Sequence, residues 1–336
     1  MPAIKAPATV LVTGASGFIA ASCCQELLRR GFNVRGTVRS KEKGEYLAKL
    51  FENEPSKFEF AIVEDMQLPN AYDEAVRGVD AVEHVASPVT GSAWAGEPEE
   101  ALRPAINGTL GVLESLKKHA PGVKRVVVTS SMAAIGKELT PSSWNQAAVD
   151  EVNKSGKAAA LGMKYSASKV LAERAAWEFV EKNRGEIGFD LVTICPPLVG
   201  GPNIQEGGIS HSCGMYLSAL DPKNRKKGTE LTARWGSYCD VRDMAAMHAD
   251  ALMKPEAGGE RLIATAGPFN WQMVYEALGV PFEEPAEKAG PMASADNSRT
   301  SVVLEKPLSE IFRPFAETLK DTVQSARERG WDVKYN

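Results

Sequence analysis

Short apolar runs alternate with segments of helical period through the first two-thirds of the chain. Thr9–Thr13, Asn33–Val38, Phe58–Val63, Ala81–Val85, Arg125–Ser130 and Asp190–Cys195 read as strands. Phe18–Arg30, Lys41–Asn53, Ala71–Val76, Glu99–His119 and Tyr165–Asn183 read as the helices between them. Near-continuously apolar strands separated by helices specify a parallel sheet covered on both faces. With right-handed crossovers this is the doubly wound α/β fold. Beyond Pro196 the alternation gives way to Gly- and Pro-rich chain. A strand and helix lie within Ser237–Leu252, a short strand at Arg261–Thr265, and an amphipathic helix over Leu308–Arg329. The predicted organisation is a main α/β domain over 1–196, to which 237–265 return, and a smaller lobe built from 197–236 and 266–336.

A length of 336 residues accommodates such a two-part core. A net charge of -4 gives no reason to expect a nucleic-acid or membrane partner, since both favour a concentrated basic field. The basic run from Asp221 to Lys227 reads as a solvated loop. Cys23, Cys24, Cys195, Cys213 and Cys239 are odd in number and scattered, which predicts free thiols in a reducing compartment. The first residues lack the apolar core of a secretory signal, and no apolar run approaches the roughly 20 residues of a membrane span. The expectation is a cytoplasmic protein, monomeric or homodimeric.

The first predicted strand runs into Thr13-Gly14-Ala15-Ser16-Gly17-Phe18-Ile19-Ala20, and a helix follows at once. A tight strand-to-helix turn without bulky side chains lets backbone approach a pyrophosphate, and the helix N-terminus faces the anion. The predicted contacts are Gly14, Ser16, Gly17, Phe18 and Ile19. Ala20 stands where the fingerprint's last glycine serves helix–strand packing. The domain is therefore of Rossmann type, and the second strand selects the dinucleotide. An NAD site places an acid there on the ribose 2′-hydroxyl; this strand ends in Arg39, with Lys43 nearby. A guanidinium pairs bidentately with a 2′-phosphate, so the predicted cofactor is NADP(H). Asp65, with Met66 beside it, is placed to meet the adenine amine, or else to cap its own loop.

Tyr165-Ser-Ala-Ser-Lys169 at the opening of a helix puts a phenol and an ammonium on one face. A free phenol, with a pKa of about 10, is a poor acid–base group near neutrality; a neighbouring cation favours its ionised form. The fifth strand ends in Thr129-Ser130-Ser131 at the sheet edge where ligands of such folds lie. Ser131 is the candidate to orient a substrate carbonyl, while Thr129 and Ser130 read as structural or cofactor-facing.

In order along the chain stand the glycine loop, Arg39, His84-Val85-Ala86-Ser87-Pro88, Ser131, Tyr165-x-x-x-Lys169 and Asp240-Val-Arg-Asp243. As a set they resemble the extended short-chain dehydrogenase/reductases, in the dihydroflavonol-reductase-like branch. Within it the chain is most similar to fungal and yeast NADPH-dependent carbonyl reductases. The resemblance covers most of residues 8–265. It implies a catalytic Ser131, Tyr165 and Lys169, with Lys169 also on the nicotinamide ribose. It adds cofactor contacts at Ala86 and Ser87, and at Pro196 and Val199 beside the nicotinamide. Ala20-Ala21 and Met163-Lys164 depart from plant relatives, and the loop Gly207–Tyr216 does not match a flavonoid site, which together argue against flavonoid and acyl-CoA substrates. The expected activity is NADPH-dependent reduction of a small aldehyde or ketone. A nucleotide-sugar epimerase or dehydratase is the alternative enzyme, which Arg39 disfavours, and a non-catalytic NADP(H) sensor is the alternative class, which the intact Tyr–Lys pair disfavours. The segment Leu198–Leu220 offers Ile204, Ile209, Met215, Tyr216 and Leu217 as a substrate-facing wall, with His211 a candidate contact.

Histidines 84, 119, 211 and 248 show neither metal-ligand spacing nor an acidic neighbour. His84 and His248 read as satisfied core residues, Trp144 and Trp177 as core, Asp243 as a helix cap, and Cys195 as an unactivated thiol.

Overall fold

The computed structural model describes residues 3–87, 95–283 and 290–331. Pro88 of the fourth-strand motif lies outside them. The strands are β1 (Thr9–Val12), β2 (Asn33–Val38), β3 (Phe58–Ile62), β4 (Ala81–His84), β5 (Arg125–Thr129), β6 (Asp190–Cys195), β7 (Leu198–Gly200), β8 (Gly236–Asp240), β9 (Arg261–Ile263) and β10 (Gly267–Phe269). Seven form one sheet in the order β3-β2-β1-β4-β5-β6-β9, parallel throughout. Connections run outward in opposite directions from β1 and β4, so the chain reverses between them and leaves a crevice at their carboxyl ends.

Successive strand residues point to opposite faces. Val10, Val12, Val127 and Ile194 therefore join one apolar cluster, with Cys24 and Leu27 of the helix Phe18–Arg29 and Met244 of the helix Val241–Met253. Leu11, Val82, Val126 and Val128 join the other, with Leu113 of the helix Pro98–His119 and Ala176 of the helix Leu161–Lys182. Each fully buried Val or Leu contributes about 1.5–3 kcal/mol. All five cysteines are buried and free, and among the described residues no helix is long and apolar enough to cross a membrane.

The second sheet, β10-β8-β7, backs the smaller lobe. Tyr216, Tyr238, Phe269, Trp271, Phe315 and Leu319 fill its core. The predicted boundary needs two corrections. β8, expected to rejoin the main domain, pairs with β7 and β10; only the helix Val241–Met253 and β9 return. Val303, Leu304, Ile311 and Phe312, expected in the lobe, pack with the main-domain cluster instead. The lobes are joined at Asp240. Its carboxylate caps the helix Val241–Met253 through Arg242 N–H and accepts from Thr318 of the lobe helix Phe315–Glu328, each at 2.9 Å. Asp243, expected as the cap, instead accepts from the Arg313 backbone N–H at 2.7 Å.

Three helix expectations change. Residues 71–76 form successive turns, because Asn70 and Gly78 at φ +63° and +72° bracket a stretch too short to nucleate a helix. The helix predicted over Leu308–Arg329 is two, Leu308–Ile311 and Phe315–Glu328, broken where Pro314 removes a donor. The helix carrying Tyr165 begins one turn earlier, at Leu161. Gln146–Ser155, His211–Ser218, Trp271–Leu278 and Ser298–Leu304 are helices the pattern did not single out.

Candidate active site

The glycine loop is built for close backbone approach. Gly14 has φ +66°, and a Cβ there would lie 3.0 Å from the Ala86 Cβ. Gly17 precedes the helix Phe18–Arg29 with no side-chain cap and no acid in the first turn. The first-turn N–H groups of Phe18, Ile19 and Ala20 therefore face outward without a competing carboxylate. Thr37 holds this loop from β2, its hydroxyl accepting from Gly14 N–H at 2.9 Å and its carbonyl from Ala15 N–H at 2.9 Å. Arg39, one residue beyond β2, is exposed and makes no ion pair among the described residues; Lys43 is exposed on the next helical turn. The cradle and the cation fit an NADP dinucleotide.

Thr13 links the loop to β4. Its oxygen accepts from Val85 and Ala86 N–H at 3.1 and 3.0 Å. Its proton is then directed at His84 Nδ1, 2.9 Å away, which leaves Nε2 as the protonated nitrogen of a neutral ring. Burial, reinforced by the charge of Lys169, pushes the His84 pKa down to about 3. His84 is the satisfied core residue expected from the sequence. So is His248: Nδ1–H donates to Met244 O and Nε2 accepts from Thr129 Oγ1, both at 2.8 Å.

Ser131 is 8% exposed and caps the short turn Met132–Ala134, accepting from Ala133 N–H at 3.1 Å. That turn packs against the helix Leu161–Lys182, which carries Tyr165 in its second turn and Lys169 in its third. Pro196 O accepts from Met132 N–H at 2.8 Å, which brings the end of β6 to the same place. Ala86, Ser87, Thr129, Ser130 and Lys169 line one small cavity at the carboxyl edge of β4 and β5. Strand ends far apart in sequence thus converge around Lys169.

Several predicted residues have other duties. Thr129 commits its hydroxyl to His248. Asp65 accepts from Gln67 N–H at 2.9 Å, the loop-capping alternative. The Met66 side chain fills the space over Gly108, and Val199 is 3% exposed within the main-domain cluster. Tyr216, expected on the substrate wall, is 1% exposed in the lobe core. Ile209 and Leu217 line a lobe cavity of about 580 Å³ with Asp221 and Trp331; none of Ser131, Tyr165 or Lys169 borders it. His119, read as lacking an acidic neighbour, pairs with Asp73 at 2.9 Å across 46 residues of sequence. Trp144 lies beneath the guanidinium groups of Arg174 and Arg261. Burial, with Glu173 alongside, raises the Cys195 thiol above its usual range, so it is not an activated nucleophile. Among the described residues no cluster fits a metal ion. The motif reading assigns no role to Thr13, Thr37 or Glu173, although Thr13 precedes the glycine turn and Glu173 stands four residues beyond Lys169; Ser130, read as structural or cofactor-facing, donates to Glu173.

Residues 10–267 match the NAD dependent epimerase/dehydratase family. The chain is 35% identical to the ketoreductase azaE of Aspergillus niger, over 95% of this chain and 98% of that one. It is 34% identical to the NADPH-dependent methylglyoxal reductase GRE2 of Saccharomyces cerevisiae, over 94% and 96%. Its structure resembles that of the yeast methylglyoxal/isovaleraldehyde reductase Gre2 complexed with NADPH, with a TM-score of 0.81 at 32% identity, covering 96% and 99% of the two chains. With the glycine loop, the Tyr–Lys helix and this likeness over nearly its whole length, the chain belongs to the NAD dependent epimerase/dehydratase family, the extended short-chain dehydrogenase/reductases.

Proposed function

We propose that this protein is an NADPH-dependent carbonyl reductase, converting an aldehyde or ketone to the alcohol at Ser131, Tyr165 and Lys169. The observation that carries the reading is the convergence of the Ser131 turn with the Tyr165–Lys169 helix at the sheet's carboxyl edge. The ketoreductase and methylglyoxal reductase names of its relatives support the same chemistry. When bound, NADPH supplies the hydride.

Tyr165 donates the proton that the carbonyl oxygen requires as it becomes an alkoxide, and Ser131 orients that oxygen by donating a hydrogen bond. Lys169 holds the ribose and places positive charge beside the phenol. Arg39 and Lys43 hold the 2′-phosphate, and the first-turn N–H groups after Gly17 hold the pyrophosphate. Asp65, Met66, Ala86, Ser87, Thr129, Pro196 and Val199 complete the cofactor contacts through backbone or remaining surface. The family also contains nucleotide-sugar enzymes, but the cation at the tip of β2 favours a 2′-phosphorylated dinucleotide over NAD. The test is NADPH oxidation, followed at the nicotinamide absorbance, against a panel of small aldehydes and ketones. NADPH-dependent turnover of at least one, abolished in Tyr165→Phe, is the expected result. Absence of turnover across the panel together with tight NADPH binding would favour a sensor.

A further inference from the structure

The helix of Tyr165 and Lys169 carries a third polar residue at the same spacing. Glu173 is 1% exposed, one turn beyond Lys169. A lone carboxylate at such a depth is expensive, and this one is fully engaged. Oε1 accepts from Arg261 Nε at 2.7 Å and from Thr193 Oγ1 at 2.8 Å; Oε2 accepts from Ser130 Oγ at 2.6 Å and from Arg261 Nη2 at 3.1 Å. Arg261 uses its remaining N–H groups on the carbonyls of Pro141, Ser143 and Ala134, so all five of its donors are taken.

The partners stand on four different parts of the fold: the end of β5, β6, the start of β9, and the loop that follows Ser131. Ser130 is the decisive one, because it is bonded directly to Ser131. Its N–H is held by Ile194 O at 2.8 Å, and its hydroxyl by Glu173. Both ends of that residue are thereby fixed, one to β6 and the other to the helix of Tyr165. We infer that Glu173 is a positioning residue: through Ser130 it sets where the Ser131 hydroxyl lies relative to Tyr165. The inference rests on the catalytic roles proposed above. An error near 1 Å in such a separation can cost roughly 10²-fold in rate, so a buried, charge-neutral, multiply bonded clamp is a suitable device. Its action is on kcat, since the pyrophosphate and 2′-phosphate contacts proposed at the glycine loop and Arg39 lie on other elements.

The experiment uses the full chain with S130A, S131A, S130A/S131A and E173Q, measuring kcat, KM, NADPH affinity and thermal unfolding. S130A leaves the Glu173–Arg261 pair intact and keeps the inference testable should E173Q fail to fold. The expected result is a kcat lowered roughly tenfold or more in S130A, with NADPH affinity and unfolding temperature close to wild type. The double variant should be no slower than S131A alone, because residues acting through one group lose activity non-additively. A merely structural Ser130–Glu173 contact gives independent losses that multiply, and that outcome overturns the inference. Wild-type turnover in S130A with an impaired S131A also overturns it, while leaving the proposed function intact. Wild-type turnover in S131A overturns the proposed function and this inference with it.

Discussion

Glu83 provides a test of the main domain that is independent of catalysis. It lies on β4 between Val12 of β1 and Val127 of β5, is 0% exposed, and among the described residues neither carboxyl oxygen has a hydrogen-bond partner. Burial pushes its pKa from 4.5 up to about 8, against smaller downward pulls from the neighbouring Cys23 thiol and the charge of Arg30. In the unfolded chain the carboxyl loses its proton near 4.5, whereas the folded protein retains it until about 8. The native state therefore binds one more proton throughout that window, and stability falls as pH rises. The contribution is fully present below 4.5 and is lost by about pH 8. At about 1.36 kcal/mol per pH unit, the loss at pH 7 is roughly 3 kcal/mol.

Glu83→Gln keeps the shape and removes the titration. Urea unfolding of wild type and variant, followed by tryptophan fluorescence between pH 5 and 8, isolates the effect. His84, His248 and Asp243 also carry shifted pKa values, but they titrate alike in both proteins and cancel in the difference. The variant's buried amide costs about 1–3 kcal/mol at every pH, so the slope is the readout and not the absolute value. The variant should gain on wild type by about 2–4 kcal/mol from pH 5 to pH 8. Parallel curves would refute the reasoning, since they would mean that Glu83 titrates alike in the folded and unfolded chains.

Other outcomes follow from single contacts. Arg39→Ala should weaken NADPH by roughly ten- to hundredfold, the loss of a charge-assisted hydrogen bond, and leave NADH unchanged in fluorescence titrations. Tyr165→Phe should lower turnover by roughly 10²–10⁴-fold with NADPH binding retained. Asp190→Asn breaks the bidentate pair to Arg125, at 2.7 and 2.8 Å and fully buried, and should cost about 3–5 kcal/mol in urea unfolding. Tyr216→Phe should be neutral or slightly stabilising by the same measurement, because its buried hydroxyl has no partner among the described residues, and should leave the ranking of ketone substrates unchanged.

What was legible in the sequence was local. Short apolar runs and the helical period of 3.6 marked the six parallel strands through β6 and the main helices that cover them. The glycine turn, the basic tip of β2 and the Tyr–Lys spacing each express a mechanism within a few residues of chain. β7, β8 and β10 were harder: they are three to five residues long and lie in Gly- and Pro-rich chain. Their place in a second sheet depends on pairing, not on pattern. Tyr216 was misplaced for the same reason. An aromatic residue in a loop-like stretch reads equally as cleft wall or as core, and only Phe269 and Phe315 packed against it decide for core.

The buried charges escaped the sequence reading. Arg125, Asp190 and Arg261 each open an apolar strand, and Glu83 interrupts one, in a sheet covered on both faces, where a charge needs a partner. Sequence shows the need and conceals the partner, because Arg125 meets Asp190 across 65 residues and Arg261 meets Glu173 across 88. The two clusters sit at opposite ends of β5. Arg125–Asp190 closes the amino ends of β5 and β6, where it serves stability, and Glu173 reaches Ser130 just past the carboxyl end of β5, where it serves the site. Glu83 is the exception that clarifies the rule. With neither oxygen paired among the described residues, it stays buried near neutrality by keeping its proton, so its pH dependence measures what burying a carboxylate without a partner costs.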